Sequence, residues 1–343
     1  DWQQLQQQSQ QTLIHYPDSE QLSLKAVLSH RFGLPPAHIT LTNGISSAIL
    51  TLFSSLLPDT TLLLTPIYSE YQRAAQRYSN SVIELEQSET DSPLLSSSPS
   101  SVSAPSPSTP FLQALSQLTD RSVVVLVNPN TPEGRYRTPD ALKALLSKLA
   151  QIQCWVLVDE SFLPFVGFEA DKSLRPQIVD NPKLVILQSL TKYYACPGVR
   201  IGALFSQANS LLQCEWASWP ISVLDEHYLR QALQDTQHPH ATQAFLSQER
   251  DRFSQLLANS RLIQSVYPAT ANFVLVKTHV KAQVLVQALS AFNILIRDCE
   301  SFGLGHNHCR IAIKSQEEND TFLIALMQIQ ENTCLPEPSE ECL

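Results

Sequence analysis

Glycine is scarce in this chain, with eight among 343 residues, where the usual share of roughly 7% would supply about 24. Those that remain are expected where φ is positive or two backbones meet closely, because only a residue without Cβ serves there. Base is in deficit too: 23 Lys and Arg stand against 32 Asp and Glu, a net charge of -9. That argues against a nucleic-acid partner, since neutralising phosphates needs surplus cation. The seven cysteines, at 154, 196, 214, 299, 309, 334 and 342, form no CxxC pair, are too scattered for a disulfide framework and leave one over. A reducing, cytoplasmic setting is expected, and no metal. No apolar run approaches the ~18 residues of a membrane span, and Asp1-Trp2-Gln3-Gln4 lacks the basic-then-apolar build of a signal peptide. A soluble protein with no membrane partner is expected. Methionine occurs once, at Met327, and the chain opens on Asp1 and a Gln-rich run, which leaves room for a missing upstream stretch.

At ~150 residues per domain the length accommodates about two domains. From residue 19 to 165 short apolar runs alternate with helical patterns. Helices are expected over Ser23 to Phe32, stopped by Gly33 and Pro35-Pro36, and over Ser46 to Leu57, Glu70 to Tyr78 and Pro139 to Ala150. Strands are expected over Thr61 to Thr65, Val82 to Leu85, Val123 to Val127, Trp155 to Val158, Val185 to Leu187 and Ile201 to Phe205. This spacing predicts βαβ units around a mostly parallel, doubly wound sheet. Beyond Ile221 the pattern is helical to about Gln264, then predicts strands at Asn272 to Lys277, Ile294 to Ile296 and Arg310 to Ile313, with a helix to Phe292 and a closing one from Glu317 to Gln330. The expected organisation is an N-terminal arm (1–19), a large domain (20–225) and a smaller α+β domain (226–343). Within the large domain, residues 88–110 are Ser/Pro low complexity and predict a flexible surface insertion. The tail from Leu335 is expected to fray.

Four motifs carry chemistry, three of them placed where a strand gives way to a loop and the fourth where a helix opens. Lys192, in Ser189-Leu190-Thr191-Lys192, follows a buried strand, where ligands bind in open α/β folds. The hydroxyls of Ser189 and Thr191 and the guanidinium of Arg200 surround it with anion donors. A ligand carrying both an aldehyde and a phosphate suits that set, with Lys192 as the amine that captures the aldehyde. Asp159 ends the strand of Val156-Leu157-Val158-Asp159; it either caps the following turn or holds a heteroaromatic nitrogen protonated. Asn128-Pro129-Asn130-Thr131-Pro132-Glu133-Gly134-Arg135 makes a rigid turn. Gly44, Ile45 and Ser46 open a helix whose free N–H groups form an anion site.

In this order and spacing, NPNTPEGR, DESF and SLTKYYACPGVRIG resemble the fold-type I pyridoxal 5'-phosphate (PLP) enzymes, the aspartate aminotransferase superfamily. Thr131 precedes Asp159 by 28 residues and Lys192 precedes Arg200 by eight, as in that pattern. The resemblance runs from Tyr16 to about Leu326 and implies an α/β PLP-dependent transferase fold with a smaller α+β C-terminal domain. It implies that Lys192 is the covalent anchor of PLP and a proton shuttle, that Asp159 pairs with the ring nitrogen, and that Ser189, Thr191, Arg200 and the backbone from Gly44 to Ser46 hold the phosphate. It also implies that Tyr68 stacks on the ring, that Tyr16 reaches the partner's phosphate site in a homodimer, and that Arg310 grips a substrate carboxylate. The alternative for Arg310 is an edge-strand side chain facing water. Two departures stand out: Thr131 replaces the asparagine of Asn-Pro-Asn-Asn-Pro, and Phe162 lacks the phenol common among aminotransferases. Both weaken donation to the cofactor's 3'-oxygen.

Within the superfamily, the run from Ile294 through Arg297-Asp298-Cys299 to Asn319 is most similar to the L-threonine-O-3-phosphate decarboxylases of cobalamin biosynthesis, cousins of the histidinol-phosphate aminotransferases. That implies decarboxylation of a small phosphorylated amino acid, with Arg297 and Arg310 as substrate ligands. Transamination of the histidinol-phosphate type and a non-catalytic PLP binder stay open, as does threonine phosphate against serine phosphate.

Overall fold

The computed structural model describes residues 13–87 and 109–332. The expected arm lies partly, and the fraying tail wholly, outside the described residues. So does the Ser/Pro stretch, apart from Thr109 and Pro110, which open a helix. The chain divides into two compact units. The first comprises Asp1–Thr131 and Arg135–Ala241, the second Pro132–Gly134 and Thr242–Leu343.

In the first unit a seven-stranded sheet is built from β1 (Ile39–Thr42), β2 (Thr60–Thr65), β3 (Ser81–Glu86), β4 (Val123–Val127), β5 (Trp155–Asp159), β6 (Leu184–Ser189) and β7 (Gly202–Phe205), in the order β1-β7-β6-β5-β4-β2-β3. Only β7 runs against its neighbours. β4 and β6 are buried at every residue, which is why they read as unbroken apolar runs rather than alternating ones. β1 was not anticipated from the sequence; its Ile39 and Leu41 are buried, yet four residues give too short a pattern to distinguish from a loop.

The helices of this unit are α1 (Leu22–Phe32), α2 (Gly44–Leu56), α3 (Ser69–Tyr78), α4 (Thr109–Ser116), α5 (Pro139–Ile152) and α6 (Val223–Gln234), with α7 (Gln237–Ala258) carrying the chain onward. Gly33 ends α1 at φ 65°, a left-handed value that costs glycine nothing. Thr138 caps α5 by accepting from the Ala141 N–H, with Pro139 at the first helical position. α2 buries Ile45, Ala48, Ile49, Leu52 and Phe53, the i, i+3, i+4, i+7 stripe of a helix laid on a core. Against them lie Leu63, Val125, Leu157, Val185 and Leu187 from the sheet; each such side chain contributes about 1.5–3 kcal/mol on full burial.

Strand register brings the functional segments to one edge. Val127 faces Asp159 and Asp159 faces Leu187, so β4 and β5 end level and β6 runs two residues further, to Ser189. Gly202, where β7 begins, faces both Ser189 and Thr42. The loops after β1, β4, β5 and β6 therefore leave the sheet side by side.

The second unit has a four-stranded antiparallel sheet of β8 (Ile263–Val266), β9 (Phe273–Thr278), β10 (Arg297–Asp298) and β11 (His308–Ala312), ordered β10-β11-β9-β8, with helices α8 (Ala282–Ser290) and α9 (Gln316–Asn332). Two expectations are corrected here. Ile294 to Ile296 is not a strand, because pairing with β11 covers only Arg297 and Asp298, and Leu295 is 84% exposed. The stretch read as helical to Gln264 is two helices followed by β8, whose outward Gln264 and Ser265 hide its strand character.

Candidate active site

Apart from Tyr16, the named residues of the first unit lie at or follow the ends of β1, β2, β4, β5 and β6. Asp159 is 3% exposed, and both its carboxylate oxygens are engaged. Oδ1 accepts the Ser161 N–H at 2.9 Å, and Oδ2 accepts the Tyr71 hydroxyl at 3.0 Å. The turn-capping role is realised and leaves acceptor positions over, since a carboxylate offers about four and these groups take two. Ser161 also receives the Ser189 N–H on its Oγ at 2.9 Å, which ties the end of β6 to the loop after β5.

Ser189 Oγ and Thr191 Oγ1 lie 3.2 Å apart, two buried hydroxyls beside Lys192. The Lys192 ammonium sits 4.1 Å from the centroid of the Phe162 ring, a cation–π distance. Phe162 thus takes up a place next to the amine without offering it a hydroxyl.

At the start of α2, Gly44 has φ +70°, and a Cβ there would stand 2.6 Å from Arg200 Nη2. The guanidinium rests directly on the backbone that leads to the Ile45 and Ser46 N–H groups. Those groups have no intrahelical partner in a first turn, and Asn43 gives the helix no side-chain cap. Ser46 Oγ lies 3.3 Å from Tyr68 Oη. Tyr68 is partly exposed and meets Tyr71 edge-on, with centroids 6.5 Å apart and planes at 83°. Two anion donors from a helix terminus, a guanidinium, paired hydroxyls, an aromatic face, a buried carboxylate and an amine make a donor set that fits a phosphorylated pyridine aldehyde. The absent Cβ of Gly44 is what lets the Arg200 guanidinium lie against that turn.

The NPNTPEGR turn is held by its own asparagines. Asn128 Oδ1 accepts the Arg137 N–H at 2.8 Å while its Nδ2 donates to the Arg137 carbonyl at 2.8 Å. Asn130 Oδ1 accepts the Arg135 N–H at 2.8 Å. Both amides are occupied in fixing the loop, and Thr131, buried beside them, is the side chain at the position of the departure. Gly134 belongs to the second unit, where its carbonyl accepts both the N–H and the hydroxyl of Thr270 at 2.8 Å.

Behind the site, Glu160 is fully buried. It accepts from the Ser173 hydroxyl and from the Leu174 N–H at 2.8 Å, with Arg175 3.6 Å away. Burial pushes the Glu160 carboxyl up and the Arg175 guanidinium down, each against the pull of the other. Arg175 also donates to Gln188 at 2.9 Å, so this pair braces the ends of β5 and β6.

Tyr16 is 82% exposed and stacks on Trp219 at 5.0 Å; among the described residues it is not gathered with Lys192. In the second unit Arg310 lies on β11, an inner strand, which corrects the edge-strand alternative. Its guanidinium is 5.0 Å from the Phe273 ring, and burial draws its pKa down. Arg297 pairs across from it in register and is exposed, donating to Ser301 at 3.0 Å. The residue that sequence reading did not assign is Tyr71. Its signal was weak: a tyrosine three positions after Tyr68 on the apolar face of α3.

A family model for aminotransferase class I and II matches residues 2–326. The threonine-phosphate decarboxylase of Salmonella typhimurium is 30% identical over 318 residues, 92% of this chain and 83% of that protein. The L-serine phosphate decarboxylase of Sulfurospirillum multivorans is 28% identical over 330 residues, 92% of this chain and 80% of that protein. Among solved structures, the histidinol-phosphate aminotransferase from Clostridium acetobutylicum superposes with a TM-score of 0.81 at 25% identity, covering 93% of this chain and 91% of that one.

Proposed function

The chain belongs to the aminotransferase class I and II family, and from that premise we propose that it is a PLP-dependent decarboxylase of L-threonine O-3-phosphate, acting in cobalamin biosynthesis. The observation that carries the reading is Phe162 beside the Lys192 ammonium, in a chain 30% identical to a threonine-phosphate decarboxylase. PLP, when bound, supplies a protonated ring that accepts the electron pair released at the substrate α-carbon.

Each side chain then has a task. Arg200, Ser189, Thr191 and the N–H groups of Ile45 and Ser46 hold the phosphate of the cofactor, Asp159 keeps a proton on the ring nitrogen, and Tyr68 covers the ring. Arg310 and Arg297 bind the anionic ends of the substrate. When the bond from the α-carbon to the carboxylate breaks, carbon dioxide leaves and one proton must return to that carbon. The Lys192 ammonium delivers it, giving aminopropanol phosphate. Phe162 offers that ammonium an aromatic face instead of a competing acceptor.

A homodimer in which Tyr16 reaches the partner's phosphate site, and a cytoplasmic location, complete the proposal. The latter is supported by free thiols at Cys154, Cys196, Cys214, Cys299 and Cys309. Among the described residues no helix is long and apolar enough to cross a membrane.

Transamination is the second reading, supported by the likeness to a histidinol-phosphate aminotransferase. The two diverge in which bond at the substrate α-carbon would break, that to the carboxylate or that to hydrogen. Incubating the PLP-loaded protein with threonine phosphate, with and without 2-oxoglutarate, separates them. Carbon dioxide and aminopropanol phosphate independent of 2-oxoglutarate support decarboxylation; amino transfer that requires 2-oxoglutarate overturns it. Serine phosphate, one methyl smaller, is expected to react more slowly by a factor of about 10 to 200, the range for one methyl group in an apolar pocket.

A further inference from the structure

We propose that Tyr71 is a positioning residue that acts through Asp159, fixing its carboxylate so that it discriminates for a ring nitrogen. The inference rests on the PLP reading above and goes beyond it by assigning a residue outside the set that touches cofactor or substrate. Tyr71 is 0% exposed on α3, and its hydroxyl donates to Asp159 Oδ2 at 3.0 Å. Ser161 N–H holds the other oxygen at 2.9 Å. With one donor on each oxygen, rotation about the carboxyl bond is blocked and the remaining acceptor positions point in fixed directions.

The phenol is suited to permanent donation. Burial, and then the charge of Asp159, push its ionisation well above the usual value for tyrosine, so it keeps its proton across the working range. The same ring meets Tyr68 edge-to-face at 6.5 Å. One buried side chain therefore supports both the carboxylate under the ring nitrogen and the aromatic expected over the ring. A hydrophobic filler would not need a hydroxyl in this place, and an unpartnered buried hydroxyl would be costly; its presence is explained by the carboxylate it serves.

The test compares binding of PLP with binding of its 1-deaza analogue, in which carbon replaces the ring nitrogen, to the full chain and to Tyr71→Phe. The wild type is expected to prefer PLP, and Tyr71→Phe to lose about tenfold in PLP affinity while its affinity for the analogue holds. Equal weakening of both ligands, or of neither, overturns the proposal, since a merely structural tyrosine would not distinguish them. A wild type that binds neither ligand refutes the PLP reading instead. If Tyr71→Phe fails to fold, 3-fluorotyrosine placed at position 71 serves: its fluorine resonance is expected to shift with PLP and not with the analogue, and equal shifts overturn the proposal.

Discussion

Gly202 and Ile45 approach so closely that a Cβ on the glycine would stand 2.9 Å from the Ile45 backbone nitrogen and 2.7 Å from its Cδ1. Gly202 does not have a positive φ, so close approach alone demands glycine here. The contact seats the first turn of α2 on the start of β7. Gly202→Ala is expected to cost about 1–3 kcal/mol by overpacking and to weaken PLP binding several-fold. Thermal denaturation of the cofactor-free protein and titration with PLP measure the two effects separately.

Lys192 is expected to carry the cofactor. The purified protein should be yellow, and borohydride reduction should fix PLP on the peptide containing Lys192. Lys192→Ala should lose the reducible covalent bond while retaining some PLP through phosphate and ring contacts. Borohydride-fixed PLP in that variant would refute the assignment.

Thr131 takes the place of the family's asparagine beside two amides already committed to the turn. If its hydroxyl donates to the cofactor's 3'-oxygen, Thr131→Val removes a neutral hydrogen bond worth about 0.5–1.5 kcal/mol. Turnover should fall several-fold, and the pH at which the bound chromophore changes colour should shift. Thr131→Asn should keep the fold and raise activity. Identical spectral titrations for Thr and Val would assign the residue to loop shape alone.

Dimerisation follows from the proposed reach of Tyr16, which is exposed and stacked on Trp219. Sedimentation at micromolar concentration should give a dimer. Tyr16→Ala should weaken PLP binding without loss of folded structure. A monomer with full PLP occupancy contradicts this.

In the second unit Glu249 receives Arg252 in two bonds of 2.8 Å and Asn319 at 2.7 Å, while Arg252 also pairs with Asp320 at 2.7 Å. The hydrogen bonds from Arg252 hold the Glu249 carboxyl below its usual value. A depressed acid contributes stability that is present above its unfolded pKa, about 4.3, and is lost as pH falls through the folded value. Glu249→Gln is expected to destabilise by about 1.5–3 kcal/mol at pH 7, with the difference from wild type shrinking below about pH 4. Urea denaturation at pH 7 and at pH 3 to 4 checks both the size and the sign.

Much of the first unit was legible because its strands are buried on both faces. Val123–Val127 and Trp155–Asp159 appear in the sequence as apolar runs ending at polar residues, and the structure places those ends together. Elements that are short or half-exposed were not legible. β1 has four residues, β8 turns two polar side chains outward, and the apolar run Ile294 to Ile296 finds no strand partner. Local hydrophobicity says that a segment avoids water, but pairing depends on what lies beside it.

The sequence by itself determined the order and type of the chemical groups: an amine after one strand, a carboxylate after another, and glycines where a helix must open against a sheet. Tertiary structure alone decided who meets whom. Tyr71 and Asp159 are 88 positions apart, Gly202 and Thr42 are paired across 160, and no local pattern encodes either meeting. Side-chain period and strand length are set within a few residues by backbone sterics and burial. Register and buried hydrogen-bond partners are set by packing the whole sheet against its helices, where most polar groups that leave water are held by a partner at fixed geometry.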